Sequence, residues 1–144
     1  MPQDVSFDIP LPARRNPHLQ QARQRNLRWL RRYQMVCGAE AVSAYSSWDL
    51  AGLAARCWPD ADVDDLTLAV DLKAFYFLFD DQFDDPGGRE LGIIAQVCGQ
   101  LIDIAHQSGS CSPGSPVTAA FADLCQRRAN RDPLGAGGFK GGFA

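Results

Sequence analysis

The chain has 144 residues and a mass of 15.7 kDa, room for a single domain. An apolar fraction of 46 % excludes wholesale disorder, and a net charge of −3 is too small to mark a general binder of nucleic acid or membrane surfaces. Five scattered cysteines form neither a CxxC pair nor a zinc-finger spacing with histidine, so they read as reduced, mostly buried thiols of a cytoplasmic protein.

Residues 1–17 carry Pro2, Pro10, Pro12 and Pro17 and read as an extended lead-in. Early acids (Asp4, Asp8) with no apolar run beside them do not make a secretion signal. A first helix is expected with Asn16 as its cap, Pro17 in its first turn and Gly38 as its stop, its apolar stripe running through Leu19, Ala22, Trp29, Leu30 and Tyr33. Seven of the chain's fourteen basic residues, all arginines, lie between Arg14 and Arg32. They make either a solvated helix face or a segment that approaches an anion. Ser47 is the expected cap of a short second helix ended by Pro59.

The third expected helix starts at Asp62, with Asp64 and Asp65 suited to the positive end of its dipole, and is stopped by Pro86-Gly87-Gly88. It is apolar nearly all round from Leu66 to Phe79, which marks it as central. A fourth helix is expected over about 90–107. A fifth begins at Ser115-Pro116, with Val117, Ala120, Phe121 and Leu124 on one face. With no strand alternation and no internal repeat, the predicted class is all-α, about five helices over residues 18–128. Residues 129–144, rich in glycine, read as a disordered tail.

The third helix carries the chemistry. Asp80, Asp81, Asp84 and Asp85 directly follow Phe75-Tyr76-Phe77-Leu78-Phe79. Carboxylates at a helix C-terminus oppose the dipole, and Asp80 and Asp84 repel each other at i,i+4 spacing. Such a cluster makes sense if a cation is meant to sit on it. Asp80 and Asp84 share one face with Lys73, Tyr76 and Phe77 on or beside it, an aromatic wall with a carboxylate rim. Carboxylates with room for water are the ligands Mg²⁺ favours, often shared with phosphates, and aromatic faces can stabilise a cation formed in a cavity. The blander readings stay open: a solvated acidic helix end, and ordinary core packing for Tyr76 and Phe77. An EF-hand is excluded because its alternating oxygens, central Gly and closing Glu are missing.

The string FYFLFDDQFD resembles the first aspartate-rich motif of bacterial class I terpene cyclases, the sesquiterpene synthases. PQDVSFDIPLP, DLAGLAARCWP and VDLKAFYFLFDDQFDDP extend the similarity over about residues 2–128. The resemblance implies the N-terminal portion of that helical bundle, and an activity that ionises and cyclises farnesyl diphosphate with Mg²⁺. It makes Asp80 the principal metal ligand and Asp84 a weaker or water-mediated one. Asp81 becomes a partner for a diphosphate-sensing arginine, and Phe77 and Tyr76 line the cavity and face the carbocation. The family's second metal motif, with Asn, Ser and Glu on successive turns of a later helix, has no counterpart here: no Glu follows Glu90. The expectation is therefore a truncated or frameshifted chain, inactive alone. The alternative is a non-catalytic fragment that binds Mg²⁺ or diphosphate weakly, or that associates with itself through exposed apolar helix faces.

Overall fold

The computed structural model describes residues 12–81, 91–107 and 114–131. They form six helices: α1 (Leu19–Arg32), α2 (Ala39–Ser47), α3 (Leu50–Cys57), α4 (Val63–Asp81), α5 (Leu91–His106) and α6 (Pro116–Arg131). No strand occurs among the described residues, so the class is all-α, with one helix more than expected.

The additional helix is α2. It buries one side chain, Tyr45, and starts at Gly38 (φ +86°) without a side-chain cap, so it shows neither an apolar stripe nor a capping residue. Gly38 thus opens a helix instead of closing one. α1 stops earlier, where Gln34 adopts φ +55° and Met35 N–H donates to the Leu30 carbonyl at 2.9 Å while Gln34 N–H donates to Arg31 at 3.1 Å. This is a Schellman ending with glutamine in the position glycine usually takes. The expected caps Asn16 and Ser47 are each displaced by two residues. His18 occupies the cap position of α1, and Asp49 (φ +47°) caps α3 by accepting from Gly52 N–H at 3.1 Å. A side chain at position 52 would collide with the Asp49 carboxylate, so the cap requires glycine there. Asn16 is buried and ties the lead-in down, its amide donating to the carbonyls of Trp58 and Ala61 at 2.8 Å each.

Asp62 caps α4 as expected, accepting from Asp64 N–H at 3.0 Å and Asp65 N–H at 2.8 Å. Ser115 caps α6. α6 continues to Arg131, through the expected start of the tail at 129, and Arg131 pairs with Asp62 and Asp65 at the head of α4. Residues 132–144 lie outside the described residues, as do 1–11. The described cysteines are free, but they are not the buried thiols expected: Cys37 and Cys57 are exposed, and Cys98 and Cys125 half-buried.

α4 is central, packing against α1, α3 and α6. Leu66 and Val70 meet Ala51, Ala54 and Ala55 of α3, while Phe75 meets Phe121 of α6 with ring centroids 5.3 Å apart. In the middle of this packing lies Asp71, fully buried. It accepts from the Asn26 amide at 2.8 Å and from the Arg127 guanidinium at 2.7 Å. The Tyr45 hydroxyl donates to the Asn26 carbonyl oxygen at 2.5 Å, and Trp29 Nε1 donates to Asp123 at 2.7 Å beside Arg127. Burial pushes the Asp71 carboxyl up, and the donations from Asn26 and Arg127 oppose that.

Two predictions follow from these contacts. Asp71→Ala leaves Arg127 and the Asn26 amide without their buried acceptor, so urea denaturation should show a loss of about 3–5 kcal/mol. The exposed Asp81→Ala should cost less than about 0.5 kcal/mol. The second prediction concerns pH. The Asp65 amide, and then Arg131, hold the Asp62 carboxyl below its ordinary value. As the pH falls, the unfolded chain therefore takes up this proton first, and the stabilisation present above about pH 4 is lost on further acidification. Asp62→Asn keeps a capping side chain and should flatten that acid limb of the stability curve.

Candidate functional site at the end of α4

A helix advances about 100° per residue, so Leu66, Val70, Lys73, Phe77 and Asp80 fall on one stripe of α4, with Asp71 on the opposite side. The lower stripe is covered by α3. Trp48, in the junction between α2 and α3, meets Phe77 at 6.4 Å between centroids. α3 therefore runs antiparallel to α4, and its cover ends at Trp48. Below this pair the Lys73 ammonium lies 5.3 Å from the centre of the Trp58 ring. Beyond it, one turn further, is Asp80.

The expected site residues sort cleanly. Phe77 (50 % exposed) and Tyr76 (57 % exposed) are open to solvent among the described residues, whereas Phe75, 1 % exposed, is the core position of this run. Phe75 stacks on Phe79 at 5.7 Å and meets Tyr76 edge-on at 5.9 Å. Asp80 and Asp81 are both exposed in the last turn of α4, about 100° apart around the helix. Asp84 lies outside the described residues. Among the described residues Asp80 and Asp81 enter no ion pair, whereas Asp62, Asp64 and Asp65 at the other end of α4 all pair with arginines. No group of three or more metal-ligating side chains is assembled among the described residues. Of the two expected ligands only Asp80 is described; its uncommitted, water-accessible carboxylate beside an apolar wall is of the kind Mg²⁺ takes.

The apolar spacing puts Trp48 at the start of the short helix capped by Ser47 and gives it no part in the site; in the fold it lies between α2 and α3 and joins the wall through its contact with Phe77. Three of the seven arginines of residues 14–32 are taken up in ion pairs within the fold. Arg14 pairs with Asp60, Arg23 with Asp49 at 2.7 Å and Arg25 with Asp64 at 2.7 Å. A cleft of about 450 Å³ between α1, α4 and α6 is lined by Arg25, Trp29, Asp71 and Arg127, on the far side of α4 from Asp80. No helix among the described residues is long and apolar enough to cross a membrane.

Comparison with known proteins bears on the fold and the family. No family model matches the chain. It is 40 % identical over 130 residues to pentalenene synthase of Streptomyces avermitilis, covering 88 % of this chain and 38 % of that enzyme. It is 37 % identical over 126 residues to 7-epi-alpha-eudesmol synthase, a farnesyl diphosphate-cyclising enzyme of Streptomyces viridochromogenes, covering 86 % of this chain and 37 % of the relative. The crystal structure of germacradien-4-ol synthase from Streptomyces citricolor superposes with a TM-score of 0.74 at 42 % identity, over 86 % of this chain and 42 % of that one. The chain thus spans roughly two fifths of the length of these relatives.

The contrast between Phe75 and Phe77 is testable. Phe75→Ala empties a packed core position and should cost about 3–5 kcal/mol. Phe77→Ala removes a half-exposed ring and should cost less than about 1.5 kcal/mol in the same urea titration.

Proposed function

We propose, from the premise that this chain belongs to the bacterial terpene synthase family, that α4 is the aspartate-bearing half of a site for farnesyl diphosphate. The observation that carries this reading is the pairing of uncommitted carboxylates, Asp80 and Asp81, with an exposed aromatic wall on the same helix end. Asp80, with Asp84, holds Mg²⁺. A metal held there would supply Lewis-acid neutralisation of the diphosphate's charge. Phe77 and Tyr76 face the hydrocarbon, where their π-faces stabilise positive charge. Asp81, turned away from Asp80, is placed to partner a diphosphate-sensing arginine, which these 144 residues do not supply.

In a complete site the family activity is cyclisation to a sesquiterpene such as pentalenene, with release of diphosphate. These 144 residues contain no second Asn/Ser/Glu ligand set, so they hold half of the metal site and should not cyclise farnesyl diphosphate alone. A second reading, self-association, is favoured by the exposed Ile93 and Ile102 of α5 together with Tyr76 and Phe77. It predicts large particles in light scattering that Ile93→Glu diminishes.

Calorimetric titration tests the main reading. Farnesyl diphosphate and inorganic diphosphate should each bind only when Mg²⁺ is present, and Asp80→Ala should weaken both at least about tenfold. Binding that is indifferent to Mg²⁺ and to Asp80 would refute the metal role. Release of a cyclic hydrocarbon by the isolated chain would refute the half-site.

A further inference from the structure

We propose that Trp48 is a recognition residue for the hydrocarbon part of the ligand: its indole and the Phe77 ring form one wall against which the prenyl chain lies. The inference rests on the reading above, that the Asp80 end of α4 receives a prenyl diphosphate, and adds a residue from another part of the chain.

Three features of the fold carry it. First, Trp48 is 41 % exposed and Phe77 50 % exposed although their ring centroids are 6.4 Å apart. Two large aromatic side chains in contact that both keep so much surface in water form an open apolar wall. Second, the wall is one turn from Asp80 along α4, so a ligand whose anionic head is held at Asp80 has its hydrocarbon within reach of both rings. One turn below Phe77 on the same stripe the Lys73 ammonium covers Trp58 at 5.3 Å, where an apolar chain would have to displace a charge. Trp48 is therefore the tryptophan available to it.

Third, Trp48 is held from behind. Tyr45 meets its indole edge-on at 6.0 Å. Tyr45 is itself buried and its hydroxyl is fixed on Asn26, which donates to Asp71. A ring so supported loses little rotational freedom when a ligand arrives, which makes its contact area effective for binding. Tyr45 and Asn26 are positioning residues here; Trp48 makes the contact.

The test compares farnesyl diphosphate with inorganic diphosphate, both with Mg²⁺, on the full chain. Trp48→Ala should weaken farnesyl diphosphate about tenfold and leave inorganic diphosphate within about twofold. Trp48→Phe, which keeps a flat ring, should restore most of the affinity. Farnesyl diphosphate should shift the tryptophan emission of the wild-type chain, and this shift should vanish in Trp48→Phe, where only Trp29 and Trp58 remain. Should Trp48→Ala fail to fold by circular dichroism, the Trp48→Phe emission decides the matter. An unchanged ratio between the two ligands in a folded Trp48→Ala, or an emission shift that survives Trp48→Phe, overturns the inference while leaving the site at Asp80 intact. Absence of Asp80-dependent binding of inorganic diphosphate overturns the underlying reading, and the role of Trp48 with it.

Discussion

Everything in this bundle that bears on function depends on which way α4 is turned, and the turn is set by Asp71. A helix that is apolar nearly all round gains about as much from burying one face as another, so hydrophobic burial leaves its rotation open. A buried carboxylate does not. Ionised and without donors it would be prohibitively costly, and its donors come from two different helices, Asn26 of α1 and Arg127 of α6. Only one rotation of α4 brings Asp71 to both. That rotation sends Lys73, Phe77 and Asp80 to the opposite side.

The two ends of α4 are consequently unlike. At its start Asp62, Asp64 and Asp65 lie where the dipole welcomes them, and Arg25 and Arg131 neutralise them from α1 and α6. At its end Asp80 and Asp81 oppose the dipole and pair with nothing among the described residues. The stability of the described bundle is concentrated in the first two thirds of the helix. The last turn carries acids that contribute nothing evident to holding the fold. Local rules are broken there, at the acids proposed above to hold a metal.

Much of this was legible in the sequence because its signals are local. Asp62 as a cap, Ser115-Pro116 as a helix start and the continuous apolar run from Leu66 to Phe79 depend on near neighbours in sequence, and each is found in place. The misreadings have a common cause. Gly38 looked like a stop because glycine is the usual left-handed residue after a helix, yet Gln34 takes that conformation four residues earlier. α2 was missed because a helix that buries only Tyr45 leaves almost no periodic trace. At the site, helix geometry sufficed to put Tyr76, Phe77 and Asp80 at one end of one helix. It could not find Trp48, nor assign Asp71 its place, since both depend on contacts between residues far apart in the chain.

These long-range contacts link the core to the site more tightly than the sequence implies. Arg127, Asp71, Asn26, Tyr45, Trp48 and Phe77 form a chain in which each member touches the next, by hydrogen bond at the buried end and by ring contact at the exposed end. Its two ends answer to different physics. The buried links must be satisfied for the bundle to hold, and they tolerate no slack, because a buried polar group left unpaired costs more than the net worth of the bond it lost. The exposed ring pair could relax without such a penalty, but Trp48 inherits the rigidity of Tyr45 behind it. The aromatic wall beside Asp80 is thus preorganised by the same carboxylate that turns α4. One buried charge thereby fixes both the direction in which the helix presents its acids and the apolar surface placed next to them.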